Sequence, residues 1–320
     1  MKKIELHCHF DGSLDVGFAS RLMQEDVASQ MICTGAKSLA EYLEKFTLPI
    51  QLLQTESNLE QFSYLLAKDL VRDEVIYAEI RFCPLLHTSQ GLTPNQVIAA
   101  VLRGLRRVPE VKTNLILCMM RNFSFSENNQ IINVALEWLR RGVCGIDLAG
   151  DEANYPTDTP DFAELFRRAS ISRVPFTVHA GEADGPESIK AALRFGAWRI
   201  GHGIRAIESD GVISRLKSQK IAIEVCPRSN FDTGAYQDAK QYPVKKLLQK
   251  GVMVTVNTDN RTVSNTSLEQ EYQLLKSEFG FTDLDLFFCN IHAAYSAFIS
   301  AGEKVALLEE LARDFELLRK

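Results

Sequence analysis

Short, nearly continuous apolar runs begin at residue 4 (IELHCH), 75 (VIYAEIRF), 114 (NLILCMM), 142 (GVCGIDLAG), 174 (VPFTVHAGE), 199 (RIGHG), 221 (IAIEVCP) and 252 (VMVTVNTD). Runs of this kind, without strict apolar–polar alternation, suit strands covered on both faces, as in parallel sheets. The intervening segments carry helical patterns, and several open on start signals. Thr93-Pro94-Asn95-Gln96 offers an N-cap, a proline at the first helical position and a capping-box glutamine. Ser57-Asn58-Leu59-Glu60 and Ser38-Leu39-Ala40-Glu41 repeat the box, and Thr159-Pro160 opens a further helix. Strands alternating with helices imply right-handed βαβ units. Eight of them predict an α/β fold, a closed (β/α)₈ (TIM) barrel.

Residues 12 to 74 separate the first two strands by more than one crossover helix needs. They predict two or three inserted helices above the barrel mouth, a candidate lid. The tail after residue 283 predicts two more helices. No Gly/Ser linker, internal repeat or low-complexity tract divides the sequence, so a single domain over residues 1–320 is expected.

Composition narrows the function classes. A net charge of −5 and a pI near 5.8 provide no basic field for nucleic acid or anionic lipid. The two N-terminal lysines precede no apolar signal core, and no stretch approaches membrane-spanning length. Seven scattered cysteines, with no CxxC, point to free thiols in a reducing compartment. The expectation is a cytoplasmic protein with no nucleic-acid or membrane partner; no motif specifies an oligomeric state.

Polar residues at the strand ends bring in the chemistry. His7, His9 and Asp11 alternate, so on a strand they share one side. His179 ends the fifth run, His202 the sixth and Asp259 the eighth, each at a carboxyl end, where barrel enzymes build their sites. In a closed barrel the first and eighth strands are neighbours and the fifth and sixth face them across the mouth. Three imidazoles and a carboxylate suit a borderline-soft divalent ion, Zn²⁺ first, Fe²⁺ or Mn²⁺ otherwise. Other polar residues have plainer readings. His87 reads as loop or rim, and His292, inside an apolar helix, as a satisfied core histidine. Glu79 and Arg81 alternate on the second strand and read as an internal ion pair as readily as substrate contacts. Cys8 and Cys226 receive no role. Asp11 and Glu182 also suit helix caps at strand-to-helix turns.

The motifs IELHCHFDGS, YAEIRFCP, GIDLAGDE, TVHAGE, RIGHG, CPRSN and TVNTDN, in this order over nearly the whole chain, resemble the adenosine deaminase family. The resemblance implies hydrolytic deamination of adenosine and 2′-deoxyadenosine to inosine and 2′-deoxyinosine plus ammonia, a purine-salvage reaction. It implies one Zn²⁺ per chain, bound by His7, His9, His179 and Asp259. Glu182 would be the proton donor, with Asp259 and His202 orienting the attacking water. His9, Asp11, Gly150 and Asn260 would contact the purine nucleoside, Gly150 through its backbone and Asp11 at the ribose. Attack at C6 pushes electron density onto ring N1, so the acid there needs a pKa raised by burial. One departure stands out: the family commonly carries two consecutive aspartates where this chain has Asp259-Asn260. An asparagine amide always donates, so a donor to purine N7 is preserved, while substrate preference stays open.

The alternatives are a deaminase of another aminated purine (free adenine, an N6-substituted nucleotide or an aminofutalosine-type nucleoside) and another metal-dependent hydrolase on the same barrel. The latter often carries a metal-bridging lysine after strand four, where this chain reads GIDLAGDE. A non-catalytic relative is opposed by the intact set of polar residues. The zinc cytidine-deaminase fold is excluded, because H-x-E followed by PCxxC is absent.

Overall fold

Each apolar run forms a strand in the computed structural model, which describes residues 1–33, 35–36, 39–236 and 239–318. The strands are β1 (Lys3–His9), β2 (Val75–Phe82), β3 (Lys112–Met120), β4 (Val143–Ala149), β5 (Thr177–Ala180), β6 (Arg199–His202), β7 (Ala222–Val225) and β8 (Val254–Val256). They make two four-stranded sheets, β1-β2-β3-β4 and β5-β6-β7-β8, with every pairing parallel. The sheets meet at two seams. Cys8 bridges Asp259 at one and Ile146 bridges Phe176 at the other, both in parallel sense. Across the first seam His9 N–H donates to the Asp259 carbonyl at 2.6 Å and Asp259 N–H to the His7 carbonyl at 2.8 Å. The architecture is a (β/α)₈ barrel with helices inserted after β1 and added at the C-terminal end.

The strands read as unbroken apolar runs because helices cover their outer faces, while much of the barrel interior is ionic. Glu79, Arg81, Asp147, Arg199 and Glu224 are wholly buried. They form a chain of pairs: Glu79 to Arg199 at 2.6 Å, Arg199 to Glu224 at 2.5 Å, Glu224 to Arg81 at 2.8 Å and Arg81 to Asp147 at 2.7 Å. Glu79 and Arg81 are thus internal, but each pairs with other strands rather than with the other. Burial works against the ionised form of Glu224, yet Arg81 and Arg199 hold its carboxyl well below the usual range. Removing one member of a buried ion network strands its partners. Glu224→Leu is therefore expected to lower the unfolding free energy by about 3–5 kcal/mol, read as a lower urea midpoint; an unchanged midpoint would show that the network adds little.

The C-terminal segment closes the amino end of the barrel. Where helix Asp283–Ser296 ends and before helix Ala301–Leu318 begins, the Ser296 carbonyl of the first helix accepts from Arg199 at 2.9 Å and Phe298 N–H, in the linker, donates to Glu79 at 2.6 Å. The insertion after β1 is richer than expected, with helices Val16–Met23, Ala28–Met31, Leu39–Leu43, Thr47–Leu52 and Glu56–Arg72 and a 3₁₀ turn at Glu44–Phe46. Thr93 makes both halves of its capping box with Gln96, and Thr159 caps its helix. The box expected at Ser57 is displaced. Thr55, extended at φ −127°, accepts from Asn58 N–H at 3.2 Å, so the helix begins at Glu56 and Ser57 falls within its first turn. Ser38 lies outside the described residues. Among the described residues no helix is long and apolar enough to cross a membrane.

Candidate active site

His7 and His9 lie on β1, His179 on β5 and Asp259 just beyond β8. One ligand atom from each lies within 4.8 Å of all the others. His7 Nε2 and His9 Nε2 are 3.3 and 3.4 Å from Asp259 Oδ1, and His9 Nε2 is 3.2 Å from His179 Nε2. The ionic barrel interior orients two of these rings from behind. Glu224 Oε2 lies 2.8 Å from His7 Nδ1, and Asp147 Oδ2 lies 2.9 Å from His179 Nδ1. At His7 the carboxylate that accepts from Nδ1 fixes the tautomer and leaves Nε2 as the lone-pair donor, the usual support of a metal-binding histidine, whereas Asp147 lies beside His179 Nδ1 without a hydrogen bond of good geometry. His7 Nε2 is buried without a hydrogen-bond partner, as a cation ligand would be. The donor set thus fits a divalent metal. A second overlapping set substitutes His202 and Cys226 for His9 and His179. It shares His7 and the Glu224 behind it, but its own two donors have no such support: His202 Nδ1 faces the Asn230 amide, and burial pushes the Cys226 thiol well above its ordinary pKa.

Two residues here have left-handed backbone: His202 at φ +56° and Asp259 at φ +60°. Such angles are uncommon outside glycine and cluster at functional sites. They turn both side chains inward where β6 and β8 end.

Glu182 sits on the turn leaving β5, and that turn is wrapped around a second carboxylate. Gly181, Glu182, Ala183 and Asp184 all donate backbone N–H to Glu152, at 2.7, 3.0, 2.9 and 3.1 Å. Glu152 lies within the GIDLAGDE motif but carries no local mark of its role, since nothing near it in sequence says that its carboxylate nests four amides from another strand's turn. Burial raises the Glu182 pKa to about 8, helped by the charges of Asp259 and Glu152. Its Oε1 accepts from Thr233 at 3.2 Å, and its Oε2 lies 3.4 Å from His202 Nε2.

These groups face a cavity of about 360 Å³, lined by His9, Asp11, Gly150, Glu182, His202, Asp259 and Asn260 among others. His179 also reaches the lining, whereas His7 is wholly buried behind it. The inserted helices supply Leu43, Phe46 and Ile50 to its wall. Gly150, at φ +106°, takes a conformation that favours glycine. Gly12 permits a close approach, since a Cβ there would lie 1.9 Å from Asn260 Oδ1.

Neither Asp11 nor Glu182 caps a helix. Asp15 caps Val16–Met23, and Gly185 precedes Pro186–Phe195. Asp11 is buried, its Oδ1 lacks a partner, and burial raises its pKa to about 7. His87 corrects its reading as loop or rim. It is wholly buried on the 3₁₀ turn Pro84–His87, its Nε2 is 4.0 Å from Asp11 Oδ2, and burial pushes its pKa down to about 3. No sequence pattern marked it, because only the fold of that turn brings it behind Asp11. His292 is half-buried, its Nδ1 3.2 Å from the Val254 amide nitrogen.

Residues 2–314 match the adenosine deaminase family. The chain belongs to the adenosine deaminase family. Family members are hydrolytic deaminases, and the match spans the barrel and most of the C-terminal helix. The adenosine deaminase of Haemophilus ducreyi is 38% identical over 335 residues, covering 98% of this chain and 97% of that one. An adenine deaminase from Arthrobacter aurescens superposes with a TM-score of 0.88 at 24% identity, over 98% of this chain and 99% of that one, a likeness of fold. An Arabidopsis N6-mAMP deaminase gives 0.86 at 26% identity, over 98% of each chain.

Proposed function

We propose that the chain is a single-domain adenosine deaminase that converts adenosine and 2′-deoxyadenosine to inosine and 2′-deoxyinosine with release of ammonia. The observation that carries this reading is Glu182, a carboxyl with its pKa raised to about 8, facing the same cavity as a divalent-metal donor set. His7, His9, His179 and Asp259 would hold one Zn²⁺. When bound, such an ion makes water a nucleophile at neutral pH by lowering its pKa to roughly 7. The protein's own groups do the rest. Asp259 accepts the attacking water's proton, and His202 orients the oxygen on one face of the ring. Glu182, protonated at neutral pH, donates to N1 as electron density arrives there. Asp259 passes the proton it took to the 6-amino group, which leaves C6 as ammonia while the C6 hydroxyl gives up its hydrogen and becomes the carbonyl. Asn260 Oδ1 packs over Gly12 without a partner, which suits Nδ2 to donate to N7. With seven free cysteines, a reducing cytoplasm is the proposed compartment.

Asp11 supports a nucleoside rather than a base or a nucleotide. It is buried and under-bonded at the cavity edge, able to bond a ribose hydroxyl. Among the described residues no lysine or arginine lines the cavity to meet a phosphate, whereas Asp11, Asp151 and Asp259 do line it. Ammonia release should be measured in parallel from adenosine, deoxyadenosine, adenine and AMP. Both nucleosides are expected to be strongly preferred. Asp11→Ala should reduce kcat/KM for them by about 1.5–3 kcal/mol, the scale of a hydrogen bond to a charged group, and leave adenine nearly unaffected. A wild type that prefers adenine or AMP would overturn the nucleoside assignment and leave deamination standing.

A further inference from the structure

The CPRSN motif reaches the candidate site through two adjacent side chains. Ser229 and Asn230 lie on the short helix Pro227–Asp232 that follows β7, and both are wholly buried. Ser229 Oγ–H donates to Asp259 Oδ2 at 2.5 Å. Asn230 Nδ2 lies 3.1 Å from His202 Nδ1, and the Tyr242 hydroxyl donates to Asn230 Oδ1 at 2.8 Å. The segment is tied at the backbone as well: Asn230 N–H donates to Cys226 O at 3.0 Å, and Asn230 O accepts from Tyr236 N–H at 3.1 Å.

This Tyr242–Asn230–His202 chain could run with either polarity. In one, the phenol donates to Oδ1 and the amide donates to His202 Nδ1, so the neutral imidazole carries its hydrogen on Nε2. In the other the amide is reversed, His202 Nδ1 donates to it, and the Tyr242 hydrogen loses its acceptor. Tyr242 is buried among the rings of Phe231, Tyr236 and Phe279, with centroids at 5.1, 5.4 and 5.3 Å. A buried hydroxyl without an acceptor is costly, whereas the first polarity satisfies every link. Burial also holds the phenol's pKa well above its ordinary value, so the hydrogen stays in place.

We propose that Asn230, oriented by Tyr242, is a positioning residue that holds His202 as its Nε2–H tautomer, so that His202 donates a hydrogen bond to the attacking oxygen and Asp259 is left to accept the proton. The chemical consequence rests on the deaminase reading; the tautomer does not. His202 Nε2 is the ring atom on the Glu182 side, 3.4 Å from Oε2. A donor there can aim a nucleophile but cannot deprotonate it. The motif thus serves both groups beside the reacting oxygen, a hydroxyl for Asp259 and an amide for His202.

The direct test is ¹⁵N NMR of histidine-labelled, metal-loaded wild type, with the His202 signals assigned by their loss in His202→Gln. The expected spectrum has a protonated Nε2 and an unprotonated Nδ1. A bare Nε2, as a general base or a metal ligand would show, overturns the proposal. Asn230→Asp keeps the shape but replaces the donor with an acceptor, and is expected to move the hydrogen to Nδ1. Its kcat should fall on the order of 10²-fold, the scale of a misdirected acid–base group, with KM little changed. Tyr242→Phe frees the amide to turn, and should give mixed tautomers and a smaller loss of kcat. If Asn230→Asp does not fold, the wild-type spectrum and Tyr242→Phe still decide. Unchanged tautomer and kcat in both variants would also overturn it. Wild type that shows the Nε2–H pattern but does not deaminate adenosine would remove the substrate assignment and uphold the tautomer.

Discussion

Glu182→Gln is expected to lower kcat by about 10²-fold or more while adenosine binding survives. The glutamine keeps the length and the contact with Thr233 but has no proton to give N1. The surroundings of Glu182 argue for an acid rather than a carboxylate. Burial is the main cause of its raised pKa, and Asp259 and Glu152 add negative charge. The sign of the pH effect follows. In the proposed reaction the active form is protonated, so kcat/KM should fall as pH rises through the raised Glu182 pKa, by about tenfold per pH unit. Glu182→Gln should lose this alkaline limb along with its rate. Wild-type turnover in the variant would remove Glu182 from the acid role, and would leave the rising electron density on N1 without a partner in the cavity.

Metal removal is expected to abolish turnover and to destabilise the fold. Four donor atoms within 4.8 Å of one another, two of them on rings oriented by buried carboxylates, have their supporting charges already in place. A ligand that binds only the folded chain stabilises it by mass action, so chelation should lower the melting temperature as well as the activity. One equivalent of Zn²⁺ per chain should restore both, and elemental analysis of gently purified protein should find near-stoichiometric metal. His179→Ala should behave like the chelated protein, since it removes one of the four proposed donors and leaves Asp147 facing no imidazole. Full activity in verified metal-free protein would sink the zinc assignment.

Glu182 and Glu152 show how far the chain could be read without coordinates. Glu182 was visible because it follows His179 by three residues in a strand-end motif. Glu152 was not, because its work is done through backbone amides some thirty residues away. His87 shows the same limit, being a lone histidine until the Pro84–His87 turn places it behind Asp11. Glu79 and Arg81 were legible as interior charges from their alternation on β2. Their partners were not, since Arg199 and Glu224 come from β6 and β7 and carry no mark in sequence that pairs them.

The sequence by itself determined the eight strands, their parallel order and the strand-end residues. Those follow from local chemistry: apolar runs of strand length, capping signals at helix starts, and imidazoles and carboxylates repeated where strands stop. Helix starts were less certain, because Thr55 and Ser57 both offer a hydroxyl and only the chain's entry angle selects Thr55. Tertiary structure alone decided which polar groups touch. It set the tautomer of His7 through Glu224 and placed Asp147 beside His179, and it buried Glu182 enough to raise its pKa. It also placed Tyr242 behind Asn230 and Asn230 behind His202. The reason is physical: hydrogen bonding and desolvation depend on ångström-scale distances between strands that are remote in sequence, and periodicity along one strand contains no information about them.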